Sequence, residues 1–353
     1  MRKIIFSAFV LLMAMVSCQK NTVPEQAESR AIPMTLTATI GGDDTKISFE
    51  DVDNVLKTAW EQYDKVSVIS LDVSGNILTN DIFTVTSPSP GKKAEFEGAF
   101  TNDPETKSVW IYYPALTEGE GTAEDPWQVP AANDYDEHGV LYELVQGTPY
   151  THYNSRTQLQ IAANSHSNLE QYVVLSGEAD LQNLAEAKLD ANLFYCSYIL
   201  KVSVKLPKAG IGVRSLTISA YTSDGDNSVS VSGSGWACIN EPENFPGGSN
   251  SAWMICFGDK VEYGIGTGVK FPTDEFTTYI VGYAGKSWNY IAQDTQSYRL
   301  TEGDYLKFTL DALDDQGNIY PCGLDKKNIT KTTIFENGKM YRISATLQEE
   351  ATE

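Results

Sequence analysis

The sequence predicts an all-β protein made of two β-sandwich domains in tandem behind a lipoprotein signal peptide. Three observations support this prediction. The chain begins with the residue order of an export signal, short segments that alternate apolar and polar residues recur along its length, and turn-forming residues separate these segments. Because domains usually hold about 100–200 residues, a chain of 353 residues is long enough for two of them.

The N-terminus resembles the signal of a bacterial lipoprotein. Two basic residues precede an apolar stretch, residues 4–16, which is too short for a stable membrane span. Met15-Val16-Ser17-Cys18 then resembles a lipobox, in which the cysteine thiol is acylated and becomes the new N-terminus. We therefore expect a signal peptide over residues 1–17 and a lipid, palmitate included, on Cys18. An ordinary signal with an incidental cysteine is disfavoured, because the residues directly after Cys18 are polar.

A flexible segment is predicted between the lipid and the folded part of the chain. Residues 19–30 contain almost no apolar side chains, so burial cannot offset the conformational entropy that they would lose on folding. We expect a tether or propeptide over residues 18–31, a first domain over 32–192 and a second over 193–353. The boundary follows residues 181–192, whose apolar residues have the spacing of a short helical turn.

The predicted strands have apolar side chains at every second position, as a sheet with one buried face requires. Turn chemistry such as Ser74-Gly75-Asn76 falls between them. Pro114 ends one strand, because proline cannot continue a central strand. Residues 116–167 show few clear periods and are predicted to be loops around one or two strands. The predicted strands cover residues 34–40, 65–71, 82–85, 109–113, 198–206, 215–221, 228–232, 251–257, 277–283, 305–310 and 340–347.

Charge and cysteine content exclude several functions. With 47 acidic and 26 basic residues, the net charge of −21 repels phosphate backbones and anionic membrane faces, so nucleic acid is not an expected partner. Four cysteines remain besides Cys18, and none forms a CxxC pair, which argues against a zinc site. An envelope location permits disulfides among them, and buried thiols are an equal alternative. The four are Cys196, Cys238, Cys256 and Cys322.

The sequence lacks the residue patterns of catalytic and metal sites. His138, His152 and His166 do not have the spacing of paired metal ligands, and neither a nucleophile elbow nor a phosphate-binding loop occurs. The Asp-rich segments 223–228 and 311–318 resemble loose calcium loops but lack the glutamate at the twelfth position, which favours simple turns. We expect no enzymatic activity, no metal and no cofactor.

A series of motifs resembles the fimbrillin family of Bacteroidetes lipoproteins, the Mfa-like subunits of fimbriae. Thr45-Lys46-Ile47-Ser48-Phe49 is similar to the family's TK.SF segment, and Trp60-Glu61-Gln62-Tyr63-Asp64-Lys65-Val66-Ser67-Val68 to its W..GD.VSVF segment. Tyr63 stands here in place of the usual glycine. Further similar segments, which extend the resemblance over nearly the whole mature chain, are residues 93–98, 111–114, 128–130, 196–206 and 338–347.

The resemblance implies a fimbrial subunit of two transthyretin-like β-sandwiches, exported as a lipoprotein to the cell outer membrane and exposed in a fimbrium on the surface. It also implies that a trypsin-like protease removes an N-terminal strand, so that a strand of another subunit fills the gap. Arg30 is the first candidate for this cut, because the bond to Ala31 lies in the tether and is accessible. Lys46 is the second, and a cut there would release the whole strand over residues 34–40.

Two functions follow from these observations. The first is a fimbrial subunit that serves adhesion, with other fimbrial subunits, the membrane and a ligand on a host or bacterial surface as partners. The short segment after the closing strand, residues 348–353, favours a tip or accessory position. The alternative is a surface-anchored glycan-binding lipoprotein of the same architecture, suggested by Trp127 and the other scattered tryptophans. Because most aromatic side chains of a sandwich belong to its core, the fimbrial subunit is favoured.

Overall fold

The structure, a computed structural model, confirms the all-β prediction. Strands dominate the residues that it describes, and a 3-10 turn, Leu184–Glu186, interrupts them. No helix in this part of the chain has both the length and the hydropathy needed to cross a bilayer. The structure describes residues 30–40, 50–52, 55–57, 59–88, 92–117, 119, 127–128, 142–144, 150–153, 158–160, 162–163, 169, 172–233, 235–238, 249–258, 261–262, 265–289 and 294–349.

The first half of the chain is built around a closed sheet. Its strands are β1 (Arg30–Ile40), β2 (Glu50–Val52), β3 (Val55–Lys57), β4 (Lys65–Leu71), β5 (Ile77–Pro88), β6 (Lys93–Asn102), β7 (Ser108–Tyr113), β8 (Trp127–Gln128), β9 (Tyr142–Leu144), β10 (Tyr150–Tyr153), β11 (Gln158–Gln160), β12 (Leu175–Asp180) and β13 (Lys188–Tyr195). Seven of them hydrogen-bond into a ring in the order β1-β13-β12-β7-β4-β5-β6, and β6 pairs again with β1. Neighbours in the ring are antiparallel except β1 and β13, which are parallel.

The second half contains two larger sheets. Its strands are β14 (Tyr198–Lys205), β15 (Gly212–Tyr221), β16 (Ser232–Gly233), β17 (Gly235–Cys238), β18 (Ser249–Asn250), β19 (Ala252–Phe257), β20 (Val261–Glu262), β21 (Ile265–Gly266), β22 (Val269–Lys270), β23 (Glu275–Gly282), β24 (Lys286–Asn289), β25 (Asp294–Ser297), β26 (Arg299–Leu300), β27 (Tyr305–Leu313), β28 (Cys322–Asn328), β29 (Thr333–Ile334), β30 (Met340–Thr346) and β31 (Gln348–Glu349). One sheet has the order β11-β19-β15-β27-β28-β31, with β22 beside β15, and the other has the order β23-β14-β30.

The two sheets of the second half pack as the layers of a sandwich. Phe257 of β19 and Phe276 of β23 come from different sheets and meet edge to face, with ring centroids 5.8 Å apart. Trp253 and Ile280, one from each sheet, are both 0% exposed. Strand alternation therefore directs one face of each sheet into a shared apolar core. A smaller sheet of order β17-β10-β9-β8 joins the loop-rich stretch of the first half to the second half.

β11 seals one side of this sandwich and comes from the stretch that the sequence predicts as loops around one or two strands. The strand pairs in parallel with β19, and its residues Gln158 and Gln160 are 0% exposed. Gln158 Nε2 donates to the Val281 carbonyl at 2.5 Å, and Gln158 Oε1 accepts from the Val281 N–H at 2.9 Å. The hydroxyl of Thr278 donates to Gln160 Oε1 at 2.7 Å. The Gln158 amide thus satisfies the backbone of Val281 at the edge of β23, as a neighbouring strand would.

The start of β1 corrects the prediction of a tether over residues 18–31. β1 begins at Arg30, so the last two residues of that range are part of a strand. The reason is the length of β6, which continues far enough for Asn102 to pair with Arg30 and Thr101 with Ala31. Backbone pairing orders these residues, although their side chains are exposed.

The helical turn predicted over residues 181–192 is shorter than expected. Only Leu184–Glu186 forms a 3-10 turn, and β13 begins at Lys188. Along β13, exposed and buried residues alternate strictly, and this period of two fits a strand better than a helix. β13 ends at Tyr195 and belongs to the ring. The division into domains over 32–192 and 193–353 stays a prediction.

Candidate functional site

β1 closes the ring of the first half. It pairs with β6 on one side and with β13 on the other. Its inward side chains, Met34, Leu36, Ala38 and Ile40, are no more than 4% exposed. Removing β1 would therefore uncover two unpaired strand edges together with the apolar pockets between them. We call the space that β1 occupies between β6 and β13 the β1 groove.

The candidate cleavage sites have different positions relative to β1. Arg30 is its first residue, and the bond to Ala31 lies in a paired strand rather than in an accessible tether. A cut after Arg30 would leave the rest of β1 in the ring. Lys46 belongs to residues 41–49, which lie outside the described residues, as does Cys18. A cut within residues 41–49 would separate β1 from the rest of the chain.

The Trp60–Asp64 motif forms the turn that leads into β4. Trp60 is 2% exposed, and its ring packs edge to face against Phe96 at 4.9 Å and against Tyr113 at 5.5 Å. Phe96 pairs in register with Leu36 of β1. The tryptophan of the motif thus supports a side chain that lines the β1 groove.

Tyr63 of the same turn has a backbone conformation that suits glycine. Its φ is 77°, and its side chain is 71% exposed. The left-handed region costs a non-glycine residue about 1–2 kcal/mol. This cost gives a physical reason for the glycine that is usual at this place in the fimbrillin motif.

We expect Tyr63→Gly to raise the free energy of unfolding by about 0.5–1 kcal/mol. The gain is smaller than the backbone strain, because glycine also adds entropy to the unfolded chain. Urea denaturation measures the change. Tyr63→Ala, which keeps a Cβ, is the control and should bring no gain. An equal gain in both variants would show that loss of the exposed ring, and not relief of the backbone, is responsible.

Asp64 caps this turn with a largely buried carboxylate. Its Oδ2 accepts the N–H of Glu61 at 2.7 Å, and its backbone carbonyl accepts the N–H of Val85 at 2.8 Å. Burial raises the pKa of the Asp64 carboxyl from 3.8 to about 6, against the opposing effect of the hydrogen bond from Glu61. The folded protein therefore holds a proton on Asp64 more tightly than the unfolded chain does.

Asp64→Asn should change the pH dependence of stability. Because the folded pKa lies above the unfolded value, the contribution of Asp64 to stability is fully present below about pH 4 and is lost as the pH rises through about 6. At about pH 7.5 we expect the Asn variant to exceed the parent by about 1–3 kcal/mol, and at about pH 4 to lose this advantage. Urea unfolding at both pH values measures the difference. A difference that does not vary with pH would contradict the assignment.

The Asp-rich segments form turns, as the sequence favours. Asp314 Oδ1 accepts the N–H groups of Gln316 and Asn318, both at 2.8 Å. These hydrogen bonds, above all those from Asn318, hold the pKa of the Asp314 carboxyl below its usual value. Asp224 Oδ1 in the same way accepts the N–H of Asp226 at 3.1 Å. Among the described residues, no group of three or more His, Cys, Asp and Glu side chains could hold a metal ion.

Two of the three tryptophans whose side chains are described are core residues, and the third, Trp110, is partly exposed and packs against the core. Trp60 is 2% exposed and Trp253 is 0% exposed, so neither can stack on a sugar ring. This placement weakens the glycan-binding alternative, while the side chain of Trp127 lies outside the described residues. The cysteines are also internal, since Cys196, Cys256 and Cys322 are buried thiols. Outside the described residues lie the side chains of Cys238 and His152 and the whole of His138 and His166.

β30 has a strand partner on one side only within the described residues. It pairs in parallel with β14 and stands at the end of the order β23-β14-β30. Ala345 is 6% exposed and Leu347, just after the strand, is 2% exposed. A groove of about 530 Å³ next to β30 is lined on its other side by Leu324 and Lys327. The closing strand is therefore held in its sheet by fewer backbone hydrogen bonds than a central strand.

Comparisons with known proteins find a likeness in structure alone. No family model matches the chain. No curated protein matches it either.

A fimbrial assembly protein from Parabacteroides distasonis is 12% identical, with 89% of this chain and 91% of that chain covered at a TM-score of 0.34. The fimbrial anchor protein Mfa2 from Porphyromonas gingivalis is 10% identical, with 83% and 82% covered at a TM-score of 0.28. A proposed cell adhesion protein from Bacteroides uniformis is 12% identical, with 90% and 94% covered at a TM-score of 0.37. Likeness of this degree is not in itself an argument for a shared function.

Proposed function

We propose that the chain is a fimbrial subunit that assembles by donor-strand exchange and serves adhesion. The observation that carries this proposal is the closure of the ring by β1. A protease cut within residues 41–49 leaves β1 held only by its hydrogen bonds and its apolar side chains. A strand of the same pattern from another copy can then replace it between β6 and β13.

The strand that best matches β1 within the chain is β30 with the residue after it. Leu36-Thr37-Ala38-Thr39-Ile40 corresponds position by position to Ile343-Ser344-Ala345-Thr346-Leu347. Each segment has a leucine or isoleucine at both ends, alanine at the centre and small hydroxyl residues between. β1 runs parallel to β13, and β30 runs parallel to β14. Donation of this segment would link copies head to tail, an arrangement that extends into a filament.

The proposal includes the route to the cell surface. Lipid on Cys18 anchors the exported chain in the outer membrane, and the cut that releases β1 also detaches the subunit from that lipid. Lys46 is the maturation site in this scheme, because a cut after Arg30 would leave the β1 groove filled. A subunit that links copies head to tail extends a filament, so we do not carry the tip or accessory position into this proposal. Within the fimbrium the subunit contacts a ligand on a host or bacterial surface.

Limited proteolysis with a trypsin-like protease tests this function. We expect the parent and Arg30→Ala to be cut after Lys46, as mass spectrometry of the new N-terminus would show, and to form oligomers that electron microscopy resolves as filaments. Lys46→Ala should stay monomeric under the same conditions. A trimmed parent that stays monomeric would refute donor-strand exchange, and assembly of Lys46→Ala would refute the site. Labelling cells with palmitate, with Cys18→Ala as the control, tests the lipid.

A further inference from the structure

A row of alanines crosses the β1 groove. Ala94 of β6, Ala38 of β1, Ala191 of β13 and Ala179 of β12 are partners in register across four neighbouring strands. All four side chains are buried, with exposed fractions of 0–6%. In a core packed at ordinary density, the volume that such a row leaves is filled by side chains from the opposite wall. At that density a larger residue at position 38 would overpack the core.

The neighbouring positions of β1 take large side chains. Leu36 lies in register between Phe96 and Leu189, and Ile40 lies beside Leu193. Along the groove, the sites for inward side chains are thus large at position 36, small at position 38 and large at position 40. A slip of two residues would bring a large side chain onto the alanine row, so the small site also fixes the register of any strand in the groove.

We propose that the alanine row is a size filter that decides which strand can occupy the β1 groove. The filter accepts a residue no larger than alanine at position 38, flanked two residues away on each side by large aliphatic residues. This inference rests on the proposed donor-strand exchange. Its occupant is the segment of residues 343–347 of a second copy, in which Ala345 meets the alanine row.

A second segment of the chain has the same pattern, and its position argues against it as the donor. Leu189-Asp190-Ala191-Asn192-Leu193 also places alanine between two leucines. This segment belongs to β13, which is hydrogen-bonded on both sides within the ring. Residues 343–347 lie in and directly after β30, which within the described part of the chain has a strand partner on one side only, so fewer backbone hydrogen bonds break when they leave their sheet. The filter and the edge position together favour the closing strand as the donor.

Exchange of labelled peptides into the trimmed protein tests the filter. The mature chain, cut within residues 41–49 and kept in mild denaturant so that β1 exchanges, is mixed with fluorescent peptides of residues 30–40 or 341–349. Both should bind. We expect the Ala38→Leu and Ala345→Leu peptides to bind at least about tenfold more weakly, because an overpacked core resists extra methylenes. The Thr37→Leu and Ser344→Leu peptides place the same leucine side chain on the opposite face and should stay within about threefold of their parents.

The outcomes separate the filter from the proposed function. If the Ala38→Leu and Ala345→Leu peptides bind as well as their parents, the filter is refuted. It is also refuted if no peptide enters the groove. If the peptide of residues 30–40 enters and obeys the filter while the peptide of residues 341–349 does not bind, the filter stands and donation by the closing strand fails. Loss of binding with Thr37→Leu as great as with Ala38→Leu would show a general effect of bulk and would also refute the filter.

Discussion

Leu36→Ala is expected to lower the free energy of unfolding of the mature chain by about 2–5 kcal/mol, the range for truncating a fully buried leucine. Leu36 is 0% exposed and lies in the middle of β1, between Phe96 and Leu189. Truncation removes contacts to both neighbours and leaves a cavity on the strand that closes the ring. Because β1 is also the strand proposed to leave, the variant should release it faster after proteolysis.

Urea denaturation followed by tryptophan fluorescence measures the effect of Leu36→Ala, since Trp60 packs on Phe96 beside this position. Thr37→Ala is the matched control on the same strand. Its side chain points away from the interior and is only half-buried, so we expect a change below about 1 kcal/mol. Equal losses in the two variants would contradict the assignment of the inward face of β1.

Tyr198→Phe is expected to lower the free energy of unfolding by about 2–4 kcal/mol, although it removes only a single oxygen atom. The Tyr198 hydroxyl donates to the Val231 carbonyl at 2.6 Å and accepts from Trp253 Nε1 at 2.8 Å. Tyr198 and both partner residues are 0% exposed. Phenylalanine would leave a buried donor and a buried acceptor without partners, and each such group costs about 1–3 kcal/mol. Burial also raises the pKa of Tyr198, so the hydroxyl keeps its proton as the donor that Val231 requires.

Tyr341→Phe provides a close control for Tyr198→Phe. The Tyr341 hydroxyl likewise makes two hydrogen bonds, donating to the Ile334 carbonyl at 2.9 Å and accepting from the Glu336 N–H at 2.8 Å. These groups are exposed, so water can replace the lost oxygen and the cost should stay below about 1 kcal/mol. Thermal denaturation of both variants measures the contrast. A loss for Tyr341→Phe as large as that for Tyr198→Phe would refute the role of burial.

The sequence predicts where the strands lie better than which strands pair with one another. Period-two alternation locates β1, β15 and most other long strands, because burial on one face of a sheet leaves a local pattern. Pairing between distant strands leaves no such pattern, and the parallel contact of β1 with β13 is therefore not predicted. For the same reason, the sequence places Gln158 only in a stretch of loops around one or two strands, although its amide satisfies the edge of another strand.

The candidate site was predictable only in outline. A strand over residues 34–40 was expected, but its place as the closing strand depends on register with two strands that are distant in sequence. Accessibility of the Arg30 bond was inferred from polar composition, which does not report backbone pairing with Asn102. The match between β1 and the closing strand is present in the sequence. Its meaning depends on knowing which strands stand at an edge or at a closure.

The seal that β11 makes also determines when the protein can finish folding. Gln158 and Val281 are 123 positions apart, so a ribosome releases β11 long before the strand whose edge it will cover. Until then, the Gln158 amide lacks the Val281 backbone groups that it binds in the folded protein. Completion must wait for nearly the whole chain, and folding that depends on such distant pairings is slow, on the order of milliseconds to seconds.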